Sequence, residues 1–467
     1  MIQSKDTTIV AISTAPGVGG IAVIRVSGPK ATQLVDGIFK ARKKGQSLSE
    51  LEANKVLYGS ILDEHDDTVD DVLVTVFRAP HSFTGEDTVE IACHGSVYIQ
   101  QQIVKILIEH GCILAQPGEF SQRAFLNGKV DLSQAEAIAD LIAASSAASH
   151  RIALNQMRGN FSGELSVLRE KLLNFVSLIE LELDFNEEDV EFADRNLLKE
   201  LAQNITETIS KLTSSFNLGN ALKNGIPVAL VGETNVGKST LLNLLLNEEK
   251  AIVSDIHGTT RDVIEDSVNI DGVMFRFIDT AGIRKTKDQI ESLGIERTYQ
   301  KIEQASIILW LIDCTQVSEH IEWLTERIAK RAAGKKIILV FNKIDRINGE
   351  ESQVLDELFK TFEAERIYIS AKNRINTEEL QKALVKAAAV PELHAGDVVV
   401  SNLRHYEALK KALAAIERVN TGLEQGISHD FLSQDIRECM HFLGEITGQI
   451  STDEILGNIF SKFCIGK

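Results

Sequence analysis

Residues Gly232, Glu233, Thr234, Asn235, Val236, Gly237, Lys238 and Ser239 form a complete GxxxxGKS, and this stretch constrains the fold more than any other. The apolar run Val228 to Val231 precedes it and LLNLLL follows, so strand, glycine turn and helix come in the required order. Glycines let backbone amides curl around phosphate oxygens, and a helix N-terminus adds its partial positive charge. Lys238 is placed to reach the terminal phosphates and Ser239 to ligate Mg²⁺. Asn235, Val236, Gly237 and Thr240 complete the expected phosphate cradle.

Further elements follow in the order a guanine-nucleotide domain requires. Thr259 and Thr260 in HGTTRD can close over a γ-phosphate, with one hydroxyl on Mg²⁺. VIEDSVNI-DG-VMFRFIDT reads as a hairpin with an Asp-Gly turn, and it delivers Asp279 and Gly282 of Asp-Thr-Ala-Gly. Asn342, Lys343 and Asp345 form Asn-Lys-Ile-Asp after the strand-like KKIILVF. A carboxylate at Asp345 accepts from N1–H and the 2-amino group of guanine, donors that adenine lacks. Ser370, Ala371 and Lys372 are placed to cap the base at O6. Together these spacings specify a GTPase fold. Ile283 stands where Ras-like proteins carry the water-orienting glutamine, so water activation must come from elsewhere. Asn235 offers a neutral oxygen beside the phosphates, suited either to a monovalent cation or to bracing the turn.

Around this α/β stretch, at 225–387, the texture differs. Residues 1–127 mix β-branched runs (TTIVAIS, GIAVIRVSG, DDVLVTVF) with the helical SVYIQQQIVKILIEHG. Residues 128–224 and 388–467 are long helix-period patterns, the first opening on a capping box at Ser133 and Glu136. The expected architecture is an α/β and α multidomain chain: a mostly parallel P-loop GTPase domain inserted into a discontinuous helical domain, preceded by an α+β domain. The net charge is −18 and each of the four regions is acidic, which speaks against an autonomous nucleic-acid binder. Five scattered cysteines, with no apolar span or leader, point to a reducing cytoplasm. Gly17–Ala22 satisfies GxGxxA but leads into a strand-like run, so the dinucleotide reading fails its context. Cys439 and Cys464 read as buried small residues.

Beyond the GTPase motifs, SFTGED at 82–87, PGEFSQRAFLNGKVDLSQAEAIADLI at 117–142 and the terminal FCIGK resemble the tRNA-modification GTPase family MnmE, also called TrmE. The resemblance spans essentially the whole chain. It implies that the N-terminal domain binds folate and dimerises, giving a homodimer. It implies an FAD-dependent partner, MnmG, in a heterotetramer, with tRNA as substrate. The implied reaction installs an aminomethyl-type group on C5 of the wobble uridine, with carbon from a reduced folate (5-formyl- or methylene-tetrahydrofolate). Carried over by resemblance, folate contacts fall on Arg25, Glu90, Lys129 and Lys467, and the catalytic glutamate on Glu291, beside Lys238. Nucleotide contacts extend to Ser254; Mg²⁺ falls to Ser239 and Thr260, and K⁺ to Asn235, Ser254, Ile256 and Thr259. The resemblance also sets Cys464 near the folate pocket. Two other readings share the same motifs: a ribosome-assembly GTPase acting as a binding switch, and a folate-dependent transferase with a vestigial G domain. The acidic regions weigh against the first, and the intact Lys238, Ser239, Asp279 and Asp345 against the second.

Overall fold

The structure is a computed structural model describing residues 6–184, 195–233, 235–250, 267–278, 302–315, 334–348, 353, 355–357, 359–360, 362, 364–390 and 396–466. The N-terminal part contains β1 (Ile9–Ile12), β2 (Ile21–Ser27), α1 (Ala31–Asp36), β3 (Phe39–Ala41), β4 (Lys55–Leu62) and β5 (Thr68–Phe77). β6 (Thr88–His94), α2 (Val97–Glu109), β7 (Ile113–Leu114) and α3 (Glu119–Leu126) complete it. Its sheet runs β3-β4-β5-β6-β2-β1-β7, antiparallel except for the β1–β7 pair. Alternation sets the faces: Val72, Val74 and Val76 of β5 are buried in one core with Ile103, Ile106 and Leu107 of α2. The Gly17–Ala22 stretch does enter β2 and not a helix, as its context required.

Five helices follow: α4 (Leu132–Ala143), α5 (Ala147–Met157), α6 (Asn160–Asp184), α7 (Arg195–Ser214) and α8 (Phe216–Asn224). The start of α4 corrects the sequence expectation. Its N-cap is Asp131, whose side chain accepts from the Gln134 amide while Gln134 reaches back to the Asp131 amide. Ser133 instead hydrogen-bonds to Asp131, and Glu136 points into the interior.

The α/β part holds β8 (Ile226–Val231), α9 (Lys238–Lys250), β9 (Ser267–Ile270), β10 (Val273–Phe277), β11 (Ile307–Asp313), β12 (Lys336–Asn342), β13 (Glu365–Ile369) and α10 (Thr377–Ala388). The strand order is β13-β12-β11-β8-β10-β9, parallel except for the β9–β10 hairpin. Asp271 and Gly272 turn that hairpin with positive φ, as the Asp-Gly reading required. Because β8 has β11 on one side and β10 on the other, the strand order reverses at its carboxyl end. Doubly wound sheets open a ligand crevice there.

The chain then returns to helix with α11 (Leu403–Gln425), α12 (His429–Thr447) and α13 (Asp453–Phe460). One apolar core joins both helical segments: Leu165, Leu172 and Phe175 of α6, Ile205 and Ile209 of α7, Leu409 and Ile416 of α11, and Ile436 and Leu443 of α12. Each fully buried side chain of this kind contributes ~1.5–3 kcal/mol relative to exposure. Entry to and exit from the α/β part touch. The Val400 amide donates to Ser215 Oγ at 3.0 Å, and a Cβ on Gly219 would lie 2.2 Å from the Val400 carbonyl oxygen. No helix among the described residues is long and apolar enough to cross a membrane.

Candidate functional site

The glycine turn sits in the crevice at the carboxyl end of β8, and its shape follows from close backbone approach. Gly232 has φ +152°, and a Cβ there would lie 2.4 Å from the Leu311 carbonyl oxygen. Gly237 has φ +99°, with Asn342 Nδ2 2.3 Å from where its Cβ would stand. Asn235 adopts a left-handed φ of +62° without being glycine. Val236 is buried, whereas Asn235, Ser239 and Thr240 are exposed. Lys238 opens α9, and its ammonium donates to the Gly232 and Glu233 carbonyls, each at 2.6 Å. The cation therefore lies over the turn, able to exchange carbonyl for phosphate oxygens.

Asn342 ends β12 and fastens three loops together. Its Nδ2 donates to the Val236 carbonyl at 2.7 Å, and its Oδ1 accepts from the Ala371 amide at 3.0 Å. The Ala371 amide is thus engaged within the protein, and Lys372 stands exposed beside it. Lys343 is left-handed at φ +69°, and its ammonium donates to the Asn235 carbonyl at 2.9 Å and to the Asp313 carboxylate. Asp345 lies in a 3₁₀ turn, where its Oδ1 accepts from Ser370 Oγ at 2.6 Å. That hydrogen bond holds the exposed carboxyl below the usual carboxylate range. Asn342 and Lys343 thus tie the glycine turn to the loops that carry Asp345 and Ser370. Ser254, Ile256, Thr259, Thr260, Asp279, Gly282, Ile283, Glu291 and Lys467 lie outside the described residues.

In the N-terminal sheet, Arg25 on β2 faces Glu90 on β6 in register, and the two form an ion pair at 2.8 Å. The guanidinium also lies over the rings of Phe83 and Phe120, at 5.5 and 5.7 Å from their centroids. The stem of Lys129 passes Gly85, where a Cβ would stand 3.2 Å from Lys129 Cγ. Beneath lies a buried polar network. Arg123 donates to Glu119, Glu86 and the Thr7 carbonyl, and Ser27 bonds to Thr84 and Glu86. The SFTGED and PGEFSQRAF blocks meet in this network.

The carboxyl-terminal tail packs against the same sheet. The Gly118 amide donates to the Cys464 carbonyl, and Ser13 Oγ donates to the Gly466 carbonyl. A Cβ on Gly466 would fall 2.3 Å from the Ile12 carbonyl oxygen. Cys464 is exposed, which overturns the expectation of a buried small residue: the tail lies along the surface with its carbonyls, not this side chain, engaged. Cys439 is core, and burial pushes its thiol up to about 12.

Two family models match the chain: the MnmE helical domain over residues 132–464, and the GTP-binding protein TrmE N-terminus over residues 8–129. A tRNA modification GTPase MnmE from Bacteroides thetaiotaomicron is 60% identical over 466 residues, covering 99% of this chain and 100% of that one. The chain belongs to the tRNA modification GTPase family MnmE. A second MnmE, from Flavobacterium johnsoniae, is 52% identical over 467 residues, covering 99% of this chain and 100% of that one. Among solved structures, Aquifex aeolicus Era bound to GDP·AlF₄⁻ is 31% identical, covers 40% of this chain and 66% of that one, and has a TM-score of 0.27.

Within this MnmE-family fold, sequence reading missed several residues that shape the sites. Asn342 appeared only as part of a base motif, yet it also holds the phosphate turn. Asp313 escaped notice although a lone carboxylate ending the apolar IILWLID is a visible signal. Arg123 was hidden inside a family block, and its partners lie up to 116 residues away in sequence.

Proposed function

We propose that this chain is a GTP-hydrolysing tRNA-modification enzyme. In this reading it works as a homodimer, joined by FAD-dependent MnmG, to add an aminomethyl-type group to C5 of the wobble uridine in tRNA. What carries the reading is full-length 60% identity to a relative named tRNA modification GTPase MnmE, together with an intact GTP-site constellation. The division into residues 1–127, 128–224, 225–387 and 388–467 belongs to the same reading.

Each described residue takes a role its surroundings suit. Asp345 accepts from the guanine edge, with Ser370 orienting the carboxylate. Asn342 keeps the base loop and phosphate turn in one geometry. Lys238 supplies positive charge where the γ-phosphoryl group becomes more negative. Ser239 and Thr240, exposed in the first turn of α9, offer a hydroxyl that suits Mg²⁺ and a contact for a phosphate. Asn235, exposed in its left-handed turn, suits K⁺, with Ser254, Ile256 and Thr259 assigned to the remaining shell. Thr260, Asp279, Gly282 and Glu291 are assigned to the second Mg²⁺ hydroxyl, the metal side of the site, γ-phosphate sensing and water orientation.

A folate presents carboxylates and a ring edge bearing N–H groups. The donor set of Arg25, Glu90 and Lys129, completed by Lys467, offers cations and a carboxylate of matching kind. When bound there, a reduced folate supplies the one-carbon unit. Glu90 is held beside Arg25 in an ion pair that a folate would share. The decisive experiment digests tRNA from a deletion strain and profiles its nucleosides. The modified wobble uridine should vanish and return on complementation; an unchanged profile refutes the reading.

A further inference from the structure

Asp313 is buried at the end of a strand whose other residues are all apolar. A carboxylate there must have partners, and it does. One oxygen accepts from the Thr315 amide at 3.0 Å and the Thr315 hydroxyl at 2.7 Å; the other accepts from the Lys343 ammonium. These contacts engage both oxygens, one by Thr315 and the other by Lys343.

Lys343 makes its second hydrogen bond to the Asn235 carbonyl in the phosphate turn. It belongs to the loop that carries Asp345, two residues on. One ammonium therefore spans the base end and the phosphate end of the crevice, and a nucleotide joining those ends runs alongside it. Both residues it links, Lys343 and Asn235, hold left-handed backbone that side-chain-bearing residues rarely adopt. Such a pair needs an external anchor to keep its shape.

We propose that Asp313 is a positioning residue for guanine-nucleotide binding, acting through Lys343 to lock the base loop onto the phosphate turn. The proposal rests on the GTP-binding reading and adds a residue to it. It makes Asp313 a determinant of nucleotide retention, not of the chemical step. The isosteric Asp313→Asn removes the ion pair and leaves one acceptor oxygen where Thr315 and Lys343 now use two, which frees Lys343 to swing.

The test is a double-mutant cycle on dissociation of a fluorescent GDP from the full-length protein. Wild type, Asp313→Asn, Lys343→Met and the double variant are compared, with kcat at saturating GTP. Asp313→Asn should speed dissociation ~tenfold, as expected for loss of a charge-assisted hydrogen bond, while kcat stays close to wild type. The same substitution should add nothing in the Lys343→Met background. An unchanged dissociation rate in Asp313→Asn, or a full effect persisting in Lys343→Met, overturns the proposal. Should Asp313→Asn not fold, Thr315→Val takes its place in the cycle. It should give a smaller acceleration that disappears without Lys343, and an acceleration independent of Lys343 again overturns the proposal. Wild-type protein that fails to retain GDP would instead refute the GTP-binding reading.

Discussion

At Asp345 the proposed base recognition rests on the chemistry of one side chain. Its exposed carboxylate, lowered further by the Ser370 hydrogen bond, can accept from two donors on a guanine edge. Asp345→Asn turns one acceptor into a donor and suits a base with a 2-oxo group. Competition binding should show preference moving from GTP toward xanthosine triphosphate by at least about 10²-fold; unaltered GTP preference would detach Asp345 from base recognition. Glu291 lies outside the described residues, and its assignment rests on the family. Since Ile283 cannot orient water, Glu291→Ala should lower kcat by about 10²-fold or more with little change in GTP affinity. Single-turnover hydrolysis beside equilibrium binding separates the two effects, and an intact kcat removes Glu291 from the mechanism.

Among the elements, the phosphate turn was legible in the sequence because everything that shapes it is local. Strand, glycines and helix occupy one short stretch, and the Asp-Gly hairpin is equally self-contained. What joins elements was not legible. The Asn342 bond to Val236 spans 106 residues, and the Arg25–Glu90 pair depends on the register of β2 against β6. Even the α4 cap slipped by two residues, because serine and aspartate are both good caps and Glu136 imitated the box. Glycines show how context decides the outcome. Gly237→Ala forces a methyl toward Asn342 Nδ2 on left-handed backbone, and should weaken GTP binding at least ~10-fold. Gly163 lies in α6 with nothing near its absent Cβ, so Gly163→Ala should stabilise by ~0.4–1 kcal/mol. Nucleotide titration and thermal melts of both variants check the contrast, which fails if both glycines tolerate alanine equally.

For the whole molecule, the inserted α/β part makes one helical bundle depend on contacts between chain segments far apart in sequence. Glu136 on α4 is the polar centre of that closure. It accepts from Arg404 Nε at 3.0 Å, Arg404 Nη2 at 2.8 Å and His405 Nε2 at 2.6 Å, across 268 residues to Arg404. Arg404 also donates to the Glu445 and Ile446 carbonyls, so α4, α11 and the end of α12 share one guanidinium. Burial alone would raise the Glu136 carboxyl, but His405 and Arg404 outweigh it and hold the group at about 2. Burial in turn lowers His405, whose Nδ1 lacks a hydrogen-bond partner. A carboxyl depressed from 4.5 to about 2 contributes stability that is fully present above the unfolded value and is lost as pH falls toward 2. Glu136→Gln keeps the shape but strands a partly buried guanidinium, and should cost ~3–5 kcal/mol near neutrality. Circular-dichroism melts from pH 7 to pH 2 should therefore show a large gap between wild type and Glu136→Gln that narrows on acidification. A gap that stayed constant to pH 2 would mean that the ionised carboxylate is not what closes the bundle.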